Sequence, residues 1–301
     1  MVINMKLRLL RLSALALVLL ALTAYVLLDT FVIEHKLGEV ASPSGTVPDG
    51  EAEDEELIYE VLDGYSDEHI SVMLKHYREY ETDIYVADVR VDSPEYLRCA
   101  LAKDTYGRNV KEKTSDMAER VGAIGAVNGD YYGAREMGFV IRNGVLHRVA
   151  PDTDLESLVI MDDGSFKVVS QQTTRAIDLF KSGARHAFTF GPGLLSEGEI
   201  TVSRIDEVDQ SMKSNPRTAI GQIGENHYVL VVSDGRTDAS YGLSLYNLAK
   251  FMKTLGVKVG YNLDGGGSST MYFKGKIVNY PTTNGDKFSE RSVSDIVYIG
   301  Y

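Results

Sequence analysis

The sequence predicts an α+β fold in which a mixed, mainly antiparallel sheet carries a few packed helices, preceded by one transmembrane helix. Three observations carry that expectation. Turn chemistry recurs between short β-branched or aromatic runs, two segments have a capping residue followed by helical periodicity, and a long uncharged apolar stretch follows basic residues near the amino terminus.

In chain order, residues 12–28 (LSALALVLLALTAYVLL) carry no charge and follow Lys6, Arg8 and Arg11. As a helix rising about 1.5 Å per residue they reach roughly 25 Å, nearly a bilayer core. Basic residues ahead of the span put the amino terminus in the cytoplasm and the rest outside. Residues 1–33 are therefore expected to be a cytoplasmic tip and an uncleaved signal anchor in the cell membrane, a cleaved signal peptide being the alternative. Residues 34–56, rich in Gly, Pro, Ser and acids without apolar period, read as a flexible acidic stalk. Residues 57–301 show no second linker and no internal repeat, which fits one domain.

Within it, residues 83–91 (DIYVADVRV) alternate as a half-buried strand does. Thr114 or Ser115 caps a short helix through Val121. Arg142-Asn143-Gly144, Asp162-Asp163-Gly164-Ser165 and Lys274-Gly275-Lys276 are hairpin turns. Ser244 caps a longer helix with Leu245, Leu248, Ala249, Met252 and Leu255 on one face, and Gly256 supplies its left-handed stop. That helix lies between strands at 227–232 and 257–263, an order that predicts a parallel crossover.

The formal charge of −12, from 31 Lys+Arg against 43 Asp+Glu, makes the body repel nucleic acid, so phosphate chemistry has to rest on a few locally placed arginines. Cys99 stands alone and excludes an intramolecular disulfide or a cysteine-built metal site. The histidines lack ligand spacing, and no cofactor or metal is expected.

Four segments exceed what a plain core needs: AVNGDYYG (126–133), NPRTAIGQ (215–222), VVSDGR (231–236) and NLDGGGSST (262–270). Taken one at a time, Asp130, Asp234 and Asp264 read as turn formers, and Arg217 and Arg236 as surface arginines. The triple glycine shifts the weight. A turn needs one or two, and the third points to close backbone approach by a ligand. The loop lacks the Gly-Lys-Ser/Thr ending of a nucleotide-binding P-loop, and Ser268 and Ser269 lack the flanks of a nucleophile elbow.

Together with GFVIRNGVL (138–146), the helix GLSLYNLAKFMKTLG and ERSVSDIVYIG near the end, these motifs resemble the phosphodiester glycosidases over roughly residues 59–301. The resemblance implies cleavage of a sugar from a sugar-1-phosphodiester, with Asn128, Asp130, Arg217, Asp234, Arg236, Asp264, Gly265, Gly266, Gly267, Ser268, Ser269, Thr270 and Arg291 matching positions of the family's site. The chain departs from the pattern at two places: Asp130-Tyr131-Tyr132 stands in place of Gly-Phe-Phe, and Asn247 where an acid is common.

Such a reaction builds oxocarbenium character on the sugar and charge on the departing phosphate. Arg217 and Arg236 suit the phosphate because a planar guanidinium grips two oxygens. Asp264 is the first candidate to attack the anomeric carbon or activate water, Asp234 the second, and Asp130 a partner acid or base. The outward-facing anchor implies an exopolysaccharide, a teichoic-acid-like polymer or a glycolipid. The alternative expectation, favoured by Asn247, is a non-catalytic surface module that binds phosphorylated glycans.

Overall fold

Strands with continuous apolar runs organise the domain. In His227–Ser233, the strand period of two sends Tyr228, Leu230 and Val232 into one core and Val229 and Val231 into another. Asp295–Ile299 does the same, with Val297 and Ile299 on one side and Ile296 and Tyr298 on the other. These facts come from a computed structural model that describes residues 57–203 and 214–301. The expected anchor and stalk lie outside the described residues, and among the described residues no helix is long and apolar enough to cross a membrane.

Three sheets share the central core. The largest has eight strands in the spatial order Tyr59–Ser66, Ile70–Glu79, Thr82–Val91, His227–Ser233, Arg217–Gly224, Val259–Asn262, Gly193–Ser196 and Glu199–Ile200. A five-stranded sheet runs Phe166–Ser170, Glu156–Met161, Ala184–Phe188, Val140–Arg142 and Val145–Arg148. The other runs Lys276–Ile277, Met271–Phe273, Gly125–Asn128, Asp295–Ile299 and Leu97–Leu101.

A helix seals the outer face of each sheet. Leu245–Thr254 packs Leu245, Leu248, Ala249, Phe251 and Met252 on the largest. Thr114–Arg120 covers the sheet of Gly125–Asn128 through Met117 and Ala118. Ala176–Lys181 contributes Ala176 and Leu179 to the outer face of the third.

The three hairpin turns join adjacent antiparallel strands as expected. The sheet is nevertheless not mixed: every strand pairing among the described residues is antiparallel. The crossover does run His227–Ser233 and Val259–Asn262 in one direction, but Arg217–Gly224 lies between them and pairs with both. Ser244 caps its helix by accepting from Asn247 N (3.1 Å), and Gly256 at φ 82° follows. The cap expected at Thr114 or Ser115 is absent. Lys113 holds that place without a side-chain bond, and the carboxylate of Glu290 accepts instead from Ser115 N (2.8 Å) and Ser115 Oγ (2.6 Å).

A candidate active site at the strand ends

Register brings the sequence-predicted groups to one end of the large sheet. Arg217 stands opposite Ser233 and Ala219 opposite Asn262, so Arg217 opens its strand where Asp234 and Asp264 follow theirs. Asn128, at the end of a strand in a neighbouring sheet, ties the two together. Its Nδ2 donates to Asp264 O (2.6 Å), and its Oδ1 accepts from Thr218 Oγ1 (2.8 Å) and Thr270 N (3.2 Å). Fully buried with both ends occupied, Asn128 shapes the site rather than facing a ligand.

The triple glycine is explained by what each residue touches. A Cβ on Gly265 would stand 2.9 Å from Pro216 O, one on Gly266 2.9 Å from Arg236 Nη2, and one on Gly267 2.7 Å from Arg291 Nη2. The loop therefore has a different arginine segment against each glycine, and Gly266 at φ 62° also needs the left-handed region. Arg217 is buried, with Nε donating to Leu243 O (2.9 Å) and its backbone N to Ser233 Oγ (3.0 Å). Arg236 donates from Nη1 to Thr283 O (2.6 Å) and from Nη2 to Asn215 Oδ1 (3.1 Å). Burial, and then the like charge of Arg291, lower its pKa. Two neighbouring guanidinium groups that repel each other are a place for an anion.

The carboxylates occupy three different environments. Asp264 is nine-tenths buried, and burial lifts its pKa to about 6 against the Ser268 hydroxyl beside it and the opposing charges of Arg291 and Arg135. Its Oδ2 is shielded with no close hydrogen-bond partner, as are Ser269 Oγ and Thr270 Oγ1 in the same loop. Such a concentration of unsatisfied buried polar atoms is costly in a fold and marks a ligand site.

Asp234 is also raised by burial, but it is tied down by Tyr280 N (2.8 Å) and Asn279 Nδ2 (3.1 Å). Asp130 has no exposed surface at all. Its Oδ1 meets Arg142 Nη2 at 2.8 Å and its Oδ2 accepts from Thr189 N (2.7 Å), while Arg142 Nε donates to Asp295 Oδ2 (2.7 Å). It belongs to a buried ion cluster beneath the site, which suits a positioning group better than the partner acid or base expected from sequence.

Sequence reasoning took Arg142 for a turn residue and passed over Asp295, Glu290 and Arg135. Arg135 stands two residues after the end of the AVNGDYYG motif, and its place near a quoted motif was the one available signal. Among the described residues no three His, Cys, Asp or Glu side chains are grouped to hold a metal ion.

The chain is similar to known proteins in sequence and in fold. Residues 121–300 match the phosphodiester glycosidase family. The chain is 31% identical over 201 residues to the SPbeta prophage-derived uncharacterized protein YomE of Bacillus subtilis, covering 65% of this chain and 31% of that protein. It is 39% identical over 66 residues to mouse N-acetylglucosamine-1-phosphodiester alpha-N-acetylglucosaminidase, covering 22% of this chain and 13% of the enzyme. The chain thus spans well under half the length of these curated relatives. Among solved structures, the zebrafish N-acetylglucosamine-1-phosphodiester alpha-N-acetylglucosaminidase catalytic domain, auto-inhibited by its pro-peptide, superposes with a TM-score of 0.63 at 21% identity, over 81% of this chain and 88% of that one. That likeness is one of fold.

Proposed function

Because the chain belongs to the phosphodiester glycosidase family, we propose that it is a hydrolase that severs a sugar from a sugar-1-phosphodiester and releases a phosphomonoester. The observation that carries this reading is the set of arginine segments packed against Gly265, Gly266 and Gly267 beside the buried, partly unsatisfied carboxylate of Asp264. Arg236 and Arg291 grip the phosphate, and Arg217 supports that side of the loop. Charge neutralisation by these groups is the larger demand, because the departing phosphomonoester is a weak base and needs little protonation.

Asp264 acts on the opposite side of the sugar, as nucleophile or as base toward water. In the net reaction water's oxygen ends on the anomeric carbon and keeps one proton as the new sugar hydroxyl, the bonding pair leaves with the phosphate oxygen, and water's other proton goes to the released phosphomonoester or to solvent. Asp234, held by two donors, is the second candidate for the carboxylate role, and Asp130 positions the loop from below.

The substrate belongs outside the cytoplasm if residues 1–33 anchor the chain as the sequence predicts. An exopolysaccharide, a teichoic-acid-like polymer or a glycolipid with a phosphodiester link fits that placement. The test is incubation of the full chain with UDP-N-acetylglucosamine and related sugar-1-phosphodiesters, with detection of free sugar. Release that is lost in Asp264→Asn and strongly reduced in Arg217→Lys supports the assignment. Wild-type turnover by Asp264→Asn removes that residue from the mechanism. Tight binding without release identifies the second reading, a non-catalytic module, which Asn247 favours.

A further inference from the structure

The loop of residues 280–291 carries two adjacent threonines with different fates. Thr282 is buried, and its hydroxyl accepts from Gly285 N (2.9 Å), closing a turn in which Gly285 takes φ 88°. Thr283 is exposed, and among the described residues its hydroxyl makes no hydrogen bond. Its backbone is nevertheless held. Thr283 O accepts from Arg236 Nη1 (2.6 Å), and Ser289 N closes the loop on Pro281 O (2.8 Å).

Gly267 fixes where that hydroxyl points. A Cβ on this glycine would stand 2.7 Å from Thr283 Oγ1 and 2.7 Å from Arg291 Nη2. Two atoms so close to one point are at most twice that distance apart, a span over which two donors converge on one phosphate oxygen or on two oxygens of one phosphate. Both residues are exposed, so a ligand reaches them without displacing protein. Arg236, by contrast, has spent much of its fork: Nη1 goes to Thr283 O, while Nε (3.3 Å) and Nη2 (3.1 Å) share Asn215 Oδ1. The group that shares the space above Gly267 with Arg291 is the Thr283 hydroxyl.

We infer that Thr283 is a further substrate-binding residue, whose hydroxyl donates to a non-bridging phosphate oxygen beside Arg291. This deepens the proposed function, on which it rests for the identity of the diester, by assigning an uncharged donor to the phosphate site. Negative charge grows on the phosphate as the sugar departs, so the bond strengthens in the transition state and persists in the phosphomonoester product. Arg236 then has two tasks, its own charge and the bond that holds the Thr283 peptide in place.

The experiment uses the full chain with Thr283→Val, which keeps the shape and removes the hydroxyl, and Thr283→Ser, which keeps the hydroxyl and removes the methyl. Thr283→Ala, which cannot crowd the loop, is a second hydroxyl-free variant. Binding of inorganic phosphate is measured by calorimetry, and hydrolysis of UDP-N-acetylglucosamine by release of sugar. Without the hydroxyl, phosphate affinity should fall by about 10-fold, the loss typical of one hydrogen bond to a charged group, and kcat/KM by at least as much, with the melting temperature unchanged. Thr283→Ser should recover most of both. Thr282→Val, which leaves Gly285 N without its acceptor, should instead lower the melting temperature.

Wild-type phosphate affinity in the hydroxyl-free variants overturns the assignment. So does a Thr283→Ser variant as weak as they are, which would make the methyl the working part, and so does a wild type that binds no inorganic phosphate. If phosphate binding depends on the hydroxyl but no diester is hydrolysed, the catalytic reading fails by itself. If hydrolysis proceeds and the Thr283 variants match the wild type, only this inference fails.

Discussion

Burial of Asp264 costs the fold stability at neutral pH, and the sign of that cost is testable. Its pKa in the folded protein, about 6, lies above the ordinary value of 3.8. Below pH 3.8 the group is protonated in both folded and unfolded chains and costs nothing; the penalty grows as pH rises toward 6 and is complete above it, at about 3 kcal/mol for a shift of roughly two units. Asp264→Asn should therefore melt several degrees higher than wild type at pH 7.5 and close to it at pH 4, while losing hydrolysis. The same pKa sets the acid limb of the rate: kcat/KM should climb through a midpoint near pH 6, where the reactive carboxylate ionises. The glycines separate site from scaffold in a similar way. A methyl on Gly267 meets the tip of the exposed Arg291 side chain, whereas one on Gly242, at φ 96°, falls 2.4 Å from the carbonyl carbon of Asn215. Gly267→Ala should lower kcat/KM with little change in melting temperature, and Gly242→Ala should destabilise the domain by about 2 kcal/mol or more.

At the level of elements, what the sequence made legible was local. Ser244 and Gly256 bracket their helix with side-chain and backbone geometry confined to a few residues, so capping and stop signals sufficed. The short helix at Thr114–Arg120 was read one or two residues late because its cap, Glu290, comes from 175 residues away. The parallel crossover was legible as a direction, but the strand Arg217–Gly224 that enters between its two halves precedes both in sequence and left no local trace. Glu290 also neighbours Arg291. Glu290→Ala should thus cost about 1 kcal/mol through the lost cap and, by loosening the segment that presents Arg291, raise KM for a sugar-1-phosphodiester. Ser244→Ala should show a similar loss in urea unfolding, read against the same wild-type curve.

Across the whole molecule, the fold depends on a charge cluster whose members lie in three separate motifs, none of which announces the pairing. Asp130 looked like a reactive acid because an Asn-Gly-Asp turn ends an apolar run, and nothing nearby revealed its partners. Arg142 reaches it from one five-stranded sheet while Asp295 reaches Arg142 from the other, and the guanidinium also donates to Ile141 O (3.0 Å) and Ala187 O and lies 4.1 Å over Phe188. Against the effect of burial, the Asp130 and Asp295 charges hold the Arg142 pKa above its usual value, and burial pushes that of Asp295 up. One cation therefore serves two buried carboxylates, and the two kinds of substitution should differ sharply. Arg142→Met strands both acids without a counter-charge and should cost about 3–5 kcal/mol, a large part of a typical domain's stability. Arg142→Lys should do nearly as badly, since an ammonium cannot fork to both acids while lying flat on Phe188. Asp295→Asn keeps an oxygen to accept from Nε and removes the surplus negative charge, so its cost should stay below about 1.5 kcal/mol. Urea unfolding of the three variants at pH 7 checks the order. Equal losses in Asp295→Asn and Arg142→Met would mean that packing, rather than the single shared cation, joins the two sheets beneath the site.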